Sequence, residues 1–272
     1  MIGSKRQKGI QCLVLIAFCL LPSAYSLAGE SAVTFYAIPT PVSFSVSITT
    51  DPNGTVWFVE LNTNKIASLN TETSAFKEYD IPTIKSYPTD IISDTNGILW
   101  FVEQDANQIG RFDPKTSTFK EYEVPTPQSQ PSRLAIDKNG NIWFTEFAGN
   151  KIAKLLPSTG KFKEYLIPTP MSQPIGITID NKGSVWFIES QGNKLGRLNP
   201  ANGEIKEFPI PFQFSVPNEV TVDKKGNIWM SARKDRKLLQ FNPASSTFKD
   251  FTLPGKGVPE GIAVDESNNI WY

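Results

Sequence analysis

Histidine is absent from all 272 residues. That excludes histidine-ligated metal centres, Ser-His and Cys-His nucleophiles, and an imidazole proton acceptor within these residues. Cysteine is scarce: the two present, Cys12 and Cys19, both lie near the start. Charge of one sign is not in excess, with 27 Lys plus Arg against 27 Asp plus Glu, so a nucleic-acid partner held by a strongly basic surface is not expected. No apolar run reaches the ~20 residues that cross a bilayer as a helix; the run from Cys12 to Leu21 is half of that. What is plentiful is proline (21) and glycine (18), spread as many short elements joined by turns would need.

The first residues read as an export leader. Lys5, Arg6 and Lys8 precede the apolar run, and Ser26, Leu27 and Ala28 supply the small residues of a cleavage site. Residues 1–28 are therefore expected to be a signal peptide, and 29–272 the mature domain. Cleavage would take both cysteines and three positive charges, leaving 24 basic against 27 acidic side chains and no disulfide. The mature protein is expected outside the cytoplasm and free of the membrane.

The remainder is one unit written six times. Tryptophan recurs at 57, 100, 143, 186, 229 and 271, aspartate at 51, 94, 137, 180, 223 and 265, and proline at 39, 82, 125, 168, 211 and 254. A fixed period near 43 residues marks a repeat architecture. Residues 131–170 decode the unit. Leu134–Ala135–Ile136 is a short apolar strand and residues 141–146 (NIWFTE) a second, rich in aromatic and β-branched side chains. Residues 151–155 and 161–167 follow as strands three and four, each after a Gly- or Asn-containing turn. No window carries a helical period. Four antiparallel strands per ~43 residues is a β-propeller blade, so the chain is read as all-β. Thr34 to Pro39 matches the fourth strands in phase and is expected to supply an outer strand to the blade begun by the C-terminus. The chain ends inside the second strand of its sixth unit, so it is read as truncated at the C-terminus.

The recurring words are specific. Trp-Phe-x-Glu occurs at 57–60, 100–103, 143–146 and 186–189. Asparagine-led turns follow at Asn64, Asn107, Asn150 and Asn193, and Ile167-Pro168-Thr169-Pro170 and Pro174-Ile175-Gly176-Ile177 close one unit and open the next. This pattern resembles the streptogramin B lyase (virginiamycin B lyase) family from about residue 33 onward. The resemblance implies seven blades when complete, and the full-length protein is expected to be a monomer. It also implies a magnesium-dependent carbon–oxygen lyase that opens a cyclic depsipeptide by elimination. In that family the machinery sits in late blades, in Pro-His-Gly-Ile-type words with acidic neighbours. The corresponding places here read Pro217-Asn218-Glu219-Val220 and Pro259-Glu260-Gly261-Ile262, without histidine.

Two functions follow as expectations. One is a secreted propeller that binds a small molecule, a peptide or a protein on one face without catalysis. The other is a genuine lyase whose catalytic residues lie beyond Tyr272. Glu260 is the candidate base. Arg133, which replaces a small residue where the first strand begins, joins Asn218 and Glu219 as candidate ligand contacts. Glu60, Glu103, Glu146 and Glu189, at one place in four units, are candidate metal ligands at one pole. Their bland alternative is an exposed ion pair with the next turn's lysine, Lys65, Lys151 or Lys194, worth ~0–1 kcal/mol. The tryptophans are expected to pack between sheets, and the Asp-x-x-Gly loops to be hairpin turns.

Overall fold

A computed structural model describes residues 34–212, 216–255 and 257–272. The expected leader, residues 1–28, lies outside them. Five four-stranded antiparallel sheets follow one another along the chain, each a meander of consecutive strands. They span residues 45–80, 88–123, 131–166, 174–209 and 217–252, and are called blades 1 to 5. A sixth unit contributes two short strands, Ala263–Val264 and Ile270–Trp271. The best-written unit falls where its residues predict: Pro131–Ile136, Ile142–Glu146, Lys151–Leu156 and Lys161–Leu166. The all-β propeller reading holds.

First strands of neighbouring blades lie against one another, whereas the fourth strands form the rim. Second strands carry the core and are buried on both faces, which is why they read as unbroken apolar words such as Ile142-Trp143-Phe144. The core is interdigitated between blades. Trp100 and Val102 of blade 2, for example, pack with Ile142, Phe144 and Leu155 of blade 3. Burial of such a cluster, at ~25 cal/mol per Å² of apolar surface, is the main source of stability in a fold without disulfides.

Tryptophan and aspartate keep the same beat because they form one motif. Asp137 Oδ1 accepts the backbone N–H groups of Asn139 (2.8 Å) and Asn141 (3.0 Å), closing the hairpin. Its Oδ2 accepts the Trp143 indole N–H at 3.0 Å. The same clip joins Trp57 to Asp51, Trp186 to Asp180 and Trp229 to Asp223. A buried indole thus has its donor satisfied, and the turn is tied to the core.

Thr34 to Pro39 forms no strand among the described residues, contrary to expectation. The phase is nevertheless right. Tyr36 and Ile38 pack on Val56, Phe58 and Leu69 of blade 1. Thr40 donates from N (3.2 Å) and Oγ1 (2.6 Å) to Glu78, as Thr83 does to Glu121 and Thr126 to Glu164.

Candidate ligand site at the channel mouth

Each first strand opens with a register shift against its second strand, between Pro88 and Asp90 in blade 2 and between Pro217 and Val220 in blade 5. Blades 1, 3 and 4 show the same shift. A bulge re-aims side chains and leaves amides unpaired. Second-strand hydroxyls take up those amides: Arg133 N–H donates to Thr145 Oγ1 (3.2 Å) and Glu219 N–H to Ser231 Oγ (3.1 Å).

The re-aimed residues recur every 43 positions as Ser47, Asp90, Arg133, Gly176 and Glu219, and they form a linked belt. Ser47 Oγ donates to Asp90 Oδ1 at 2.7 Å, and Leu134 N–H to Asp90 Oδ2 at 2.8 Å. Arg133 Nε donates to Glu219, two blades away, and its Nη1 to Ser132 O at 3.2 Å. The guanidinium can cross because blade 4 offers no side chain there. A Cβ on Gly176 would stand 2.6 Å from Asn218 O. Two of the five guanidinium donors are engaged among the described residues, and the rest are free to meet a ligand.

The sixth unit joins the belt. Asn218 Nδ2 donates to Glu260 O at 3.0 Å, and Arg233 Nη2 to Glu260 Oε1 at 2.8 Å. Arg133, Asn218, Glu219 and Glu260, singled out separately from the sequence, therefore meet. Burial raises the Glu219 carboxyl against the opposing pull of Arg133. Burial works to lower Arg133, but the carboxylates of Glu219, Asp90 and Glu260 outweigh it and hold the guanidinium charged. Sequence reasoning missed Ser47, Asp90 and Gly176. Counting 43 back from Arg133 and Glu219 would have found them.

Around the mouth, the loops entering the first strands present exposed apolar side chains on blades 1, 2 and 5. Phe44 is 57% exposed, Tyr87 41% and Val216 42%; blades 3 and 4 place Gln130 and Gln173 there instead. All five have left-handed backbone, with φ of 52°, 57°, 51°, 50° and 47° for residues 44, 87, 130, 173 and 216. This conformation is costly for valine and for aromatic residues. The same five-position pattern in every loop holds the side chains outward.

The four repeated glutamates stand elsewhere, and the expected exposed ion pair needs correction. Glu60, Glu103, Glu146 and Glu189 are each fully buried at the end of a second strand, so they form no exposed ion pair. The lysines bind the fourth-strand glutamates instead: Lys151 to Glu164 at 2.6 Å and Lys194 to Glu207 at 2.8 Å. Lys65 reaches Glu78 at 3.5 Å and Asp80 at 3.0 Å. Among the described residues the four do not come together as one cluster of carboxylates. Burial, then the neighbouring fourth-strand carboxylate, push Glu103 and Glu189 up to about 8 and Glu146 to about 7. Glu60 is also raised, by burial first.

The magnesium ion that the resemblance implies does not fit the mouth as it stands. Glu219 and Glu260 are each taken by a guanidinium. Among the described residues no three His, Cys, Asp or Glu side chains come together to hold a metal ion.

Consecutive four-stranded antiparallel blades, with a polar belt where their first strands meet, define the β-propeller class. The chain matches the virginiamycin B lyase family model over residues 24–272 and belongs to that family. It is 34% identical to virginiamycin B lyase from Staphylococcus aureus, with a TM-score of 0.80 over 85% of this chain and 77% of that one. A catalytically inactive histidine-to-alanine variant of that enzyme, solved with quinupristin, is 33% identical with a TM-score of 0.79 and the same coverage, 85% and 77%. A streptogramin B lyase structure is 30% identical, with a TM-score of 0.60 over 87% of this chain and 92% of that one. No curated protein matches the chain. Among the described residues no helix is long and apolar enough to cross a membrane.

Proposed function

We propose that this chain is an extracytoplasmic propeller that binds a compact peptide-like ligand, of the cyclic depsipeptide class, at the channel mouth without opening it. The observation that carries this reading is the Arg133–Glu219 pair across the mouth. Elimination needs a free base beside the acidic proton and a cation at the developing negative charge. Here Glu219 already accepts from Arg133, Glu260 accepts from Arg233, and no histidine exists in the 272 residues. Recognition asks for less. Phe44, Tyr87 and Val216 offer apolar contact to aromatic and aliphatic ligand groups, while Arg133 and the glutamines offer donors to its carbonyls. The leader at residues 1–28 would place this site outside the cytoplasm.

Family membership favours the lyase as a second reading, and one experiment separates the two. The full protein is titrated with quinupristin by calorimetry, then incubated with it in magnesium buffer and resolved by chromatography. Elimination adds no water, so the opened product has the mass of its parent and must be separated rather than weighed. Saturable binding with unchanged antibiotic is expected. Formation of the linear isomer would overturn the non-catalytic reading, and lack of binding would overturn the ligand class.

A further inference from the structure

One column of the repeat has a single exception. The residue that opens the third strand is Lys65, Lys151, Lys194 and Lys237 in blades 1, 3, 4 and 5, but Gln108 in blade 2. In the lysine-bearing blades the ammonium sits on the fourth-strand carboxylate. Lys151 Nζ also donates to Thr126 Oγ1 at 2.5 Å, and Lys194 Nζ to Thr169 Oγ1 at 2.5 Å. In blades 3 and 4 it thereby offsets two acids at once, the fourth-strand glutamate and the buried glutamate that pairs in register with the lysine.

Blade 2 keeps both acids and loses the cation. Glu103 is fully buried and neither of its oxygens has a hydrogen-bond partner, as for Glu146 and Glu189, but here no lysine stands beside it. Its register partner is Gln108, whose Oε1 is likewise buried and unpartnered. The Ser86 hydroxyl gives its hydrogen to Asn64 Oδ1 at 2.9 Å. Among the described residues Glu121 accepts from Thr83, through N at 3.0 Å and Oγ1 at 3.0 Å, and no cation reaches it. Buried acceptors without donors are rare, and two carboxylates side by side without a cation are costly.

We propose that blade 2 holds a hard cation, calcium in preference to magnesium, between Glu103 and Glu121, with Gln108 Oε1 and Thr83 Oγ1 as neutral oxygen donors. The donor set is oxygen only, which suits a hard ion. Calcium accepts irregular carboxylate and carbonyl arrangements, whereas magnesium demands a near-ideal octahedron and keeps its waters. The ion plays the part that lysine plays in the other blades. This site is distinct from the channel mouth and from the late-blade magnesium of the family resemblance.

The test compares the intact protein with Gln108→Lys, which writes into blade 2 the residue that four other blades carry. Thermal unfolding is followed in EDTA, in calcium chloride and in magnesium chloride at constant ionic strength. A ligand that binds only the folded state raises the midpoint with concentration. The unsubstituted protein is expected to gain several degrees in calcium and less in magnesium. Gln108→Lys is expected to melt higher than the unsubstituted protein in EDTA and to ignore calcium. Glu103→Gln, which removes a ligand charge but adds no cation, should weaken calcium binding at least tenfold in a dye competition. A calcium response equal in the unsubstituted protein and Gln108→Lys would overturn the proposal. So would no calcium response in the unsubstituted protein, with stability rising instead on acidification, because a shared proton would then hold the pair.

Discussion

The second strands and the first strands of this propeller obey opposite rules. Second strands repeat almost word for word: Trp57-Phe58-Val59-Glu60 in blade 1 returns as Trp186-Phe187-Ile188-Glu189 in blade 4. First strands place Ser47, Asp90, Arg133, Gly176 and Glu219 at one structural position, a hydroxyl, two acids, a base and a glycine. The difference teaches where constraint and freedom lie. A residue clamped between two sheets must fit both neighbours, so each blade receives the same solution. A residue aimed at the axis by a bulge answers only to the channel, and there the blades specialise.

Four measurements would sharpen or break that contrast. The largest effect is expected from Trp143→Ala, which empties a fully buried site and frees Asp137 from its indole. A loss of ~3–5 kcal/mol in urea unfolding is expected. A loss below that of an ordinary surface change would break the comparison.

Next comes Gly176→Ala. Its methyl group meets Asn218 O and has no flexible side chain to displace. Overpacking should cost ~1–3 kcal/mol, and the Arg133–Glu219 bridge should loosen. Ligand affinity would then fall alongside stability. If affinity fell while stability held, Gly176 would act on the channel alone.

The third measurement is pH dependence. Glu146 and Glu189 titrate in the folded protein at about 7 and about 8, above their ordinary value of 4.5. The folded state therefore binds more protons than the unfolded chain between those values. Stability is fullest below pH 4.5 on this account, falls as pH rises and levels off above about 8. Glu146→Gln and Glu189→Gln should flatten the slope of the urea midpoint between pH 5 and 8.5. An unchanged slope would show that these carboxylates stay ionised through the range.

The smallest effect belongs to Phe44→Ser at the rim. Stability should change by less than ~0.5 kcal/mol, as for exposed positions generally, while affinity for quinupristin drops. A large stability loss would mean that the rim is part of the frame.

Most of the fold was legible because a 43-residue beat in tryptophan, aspartate and proline is imposed by packing and turn chemistry. The strand limits at 131–166 were readable from turn residues to within a residue or two of the observed ones, apart from the first strand, which starts at Pro131 rather than Leu134. Half of the site was legible too. Arg133 stood out as a basic residue in place of the glycine of Pro-x-Gly, and Asn218, Glu219 and Glu260 stood where the family motif lies. Asp90 was hidden inside an apolar-looking strand, Pro88–Ser93, and Gly176 reads as an ordinary Pro-x-Gly. Bulges leave no mark in composition, so nothing in the letters said that both residues face the axis. The glutamates misled for a different reason. Glu followed five residues later by Lys looks like a surface pair, and only the strand register shows that the lysine turns to Glu164 while Glu146 goes inside.

The left-handed residues of the entry loops have a practical consequence. Val42, Phe44, Lys85, Tyr87, Gln128, Gln130, Met171 and Gln173 all share that backbone, although their side chains range from valine and aromatic rings to lysine, methionine and glutamine. The loop trace is thus set by the blade and is indifferent to what it displays. Such loops behave as sockets of fixed shape, and the molecule could be retargeted by exchanging the displayed groups one at a time, with the ring beneath them left untouched.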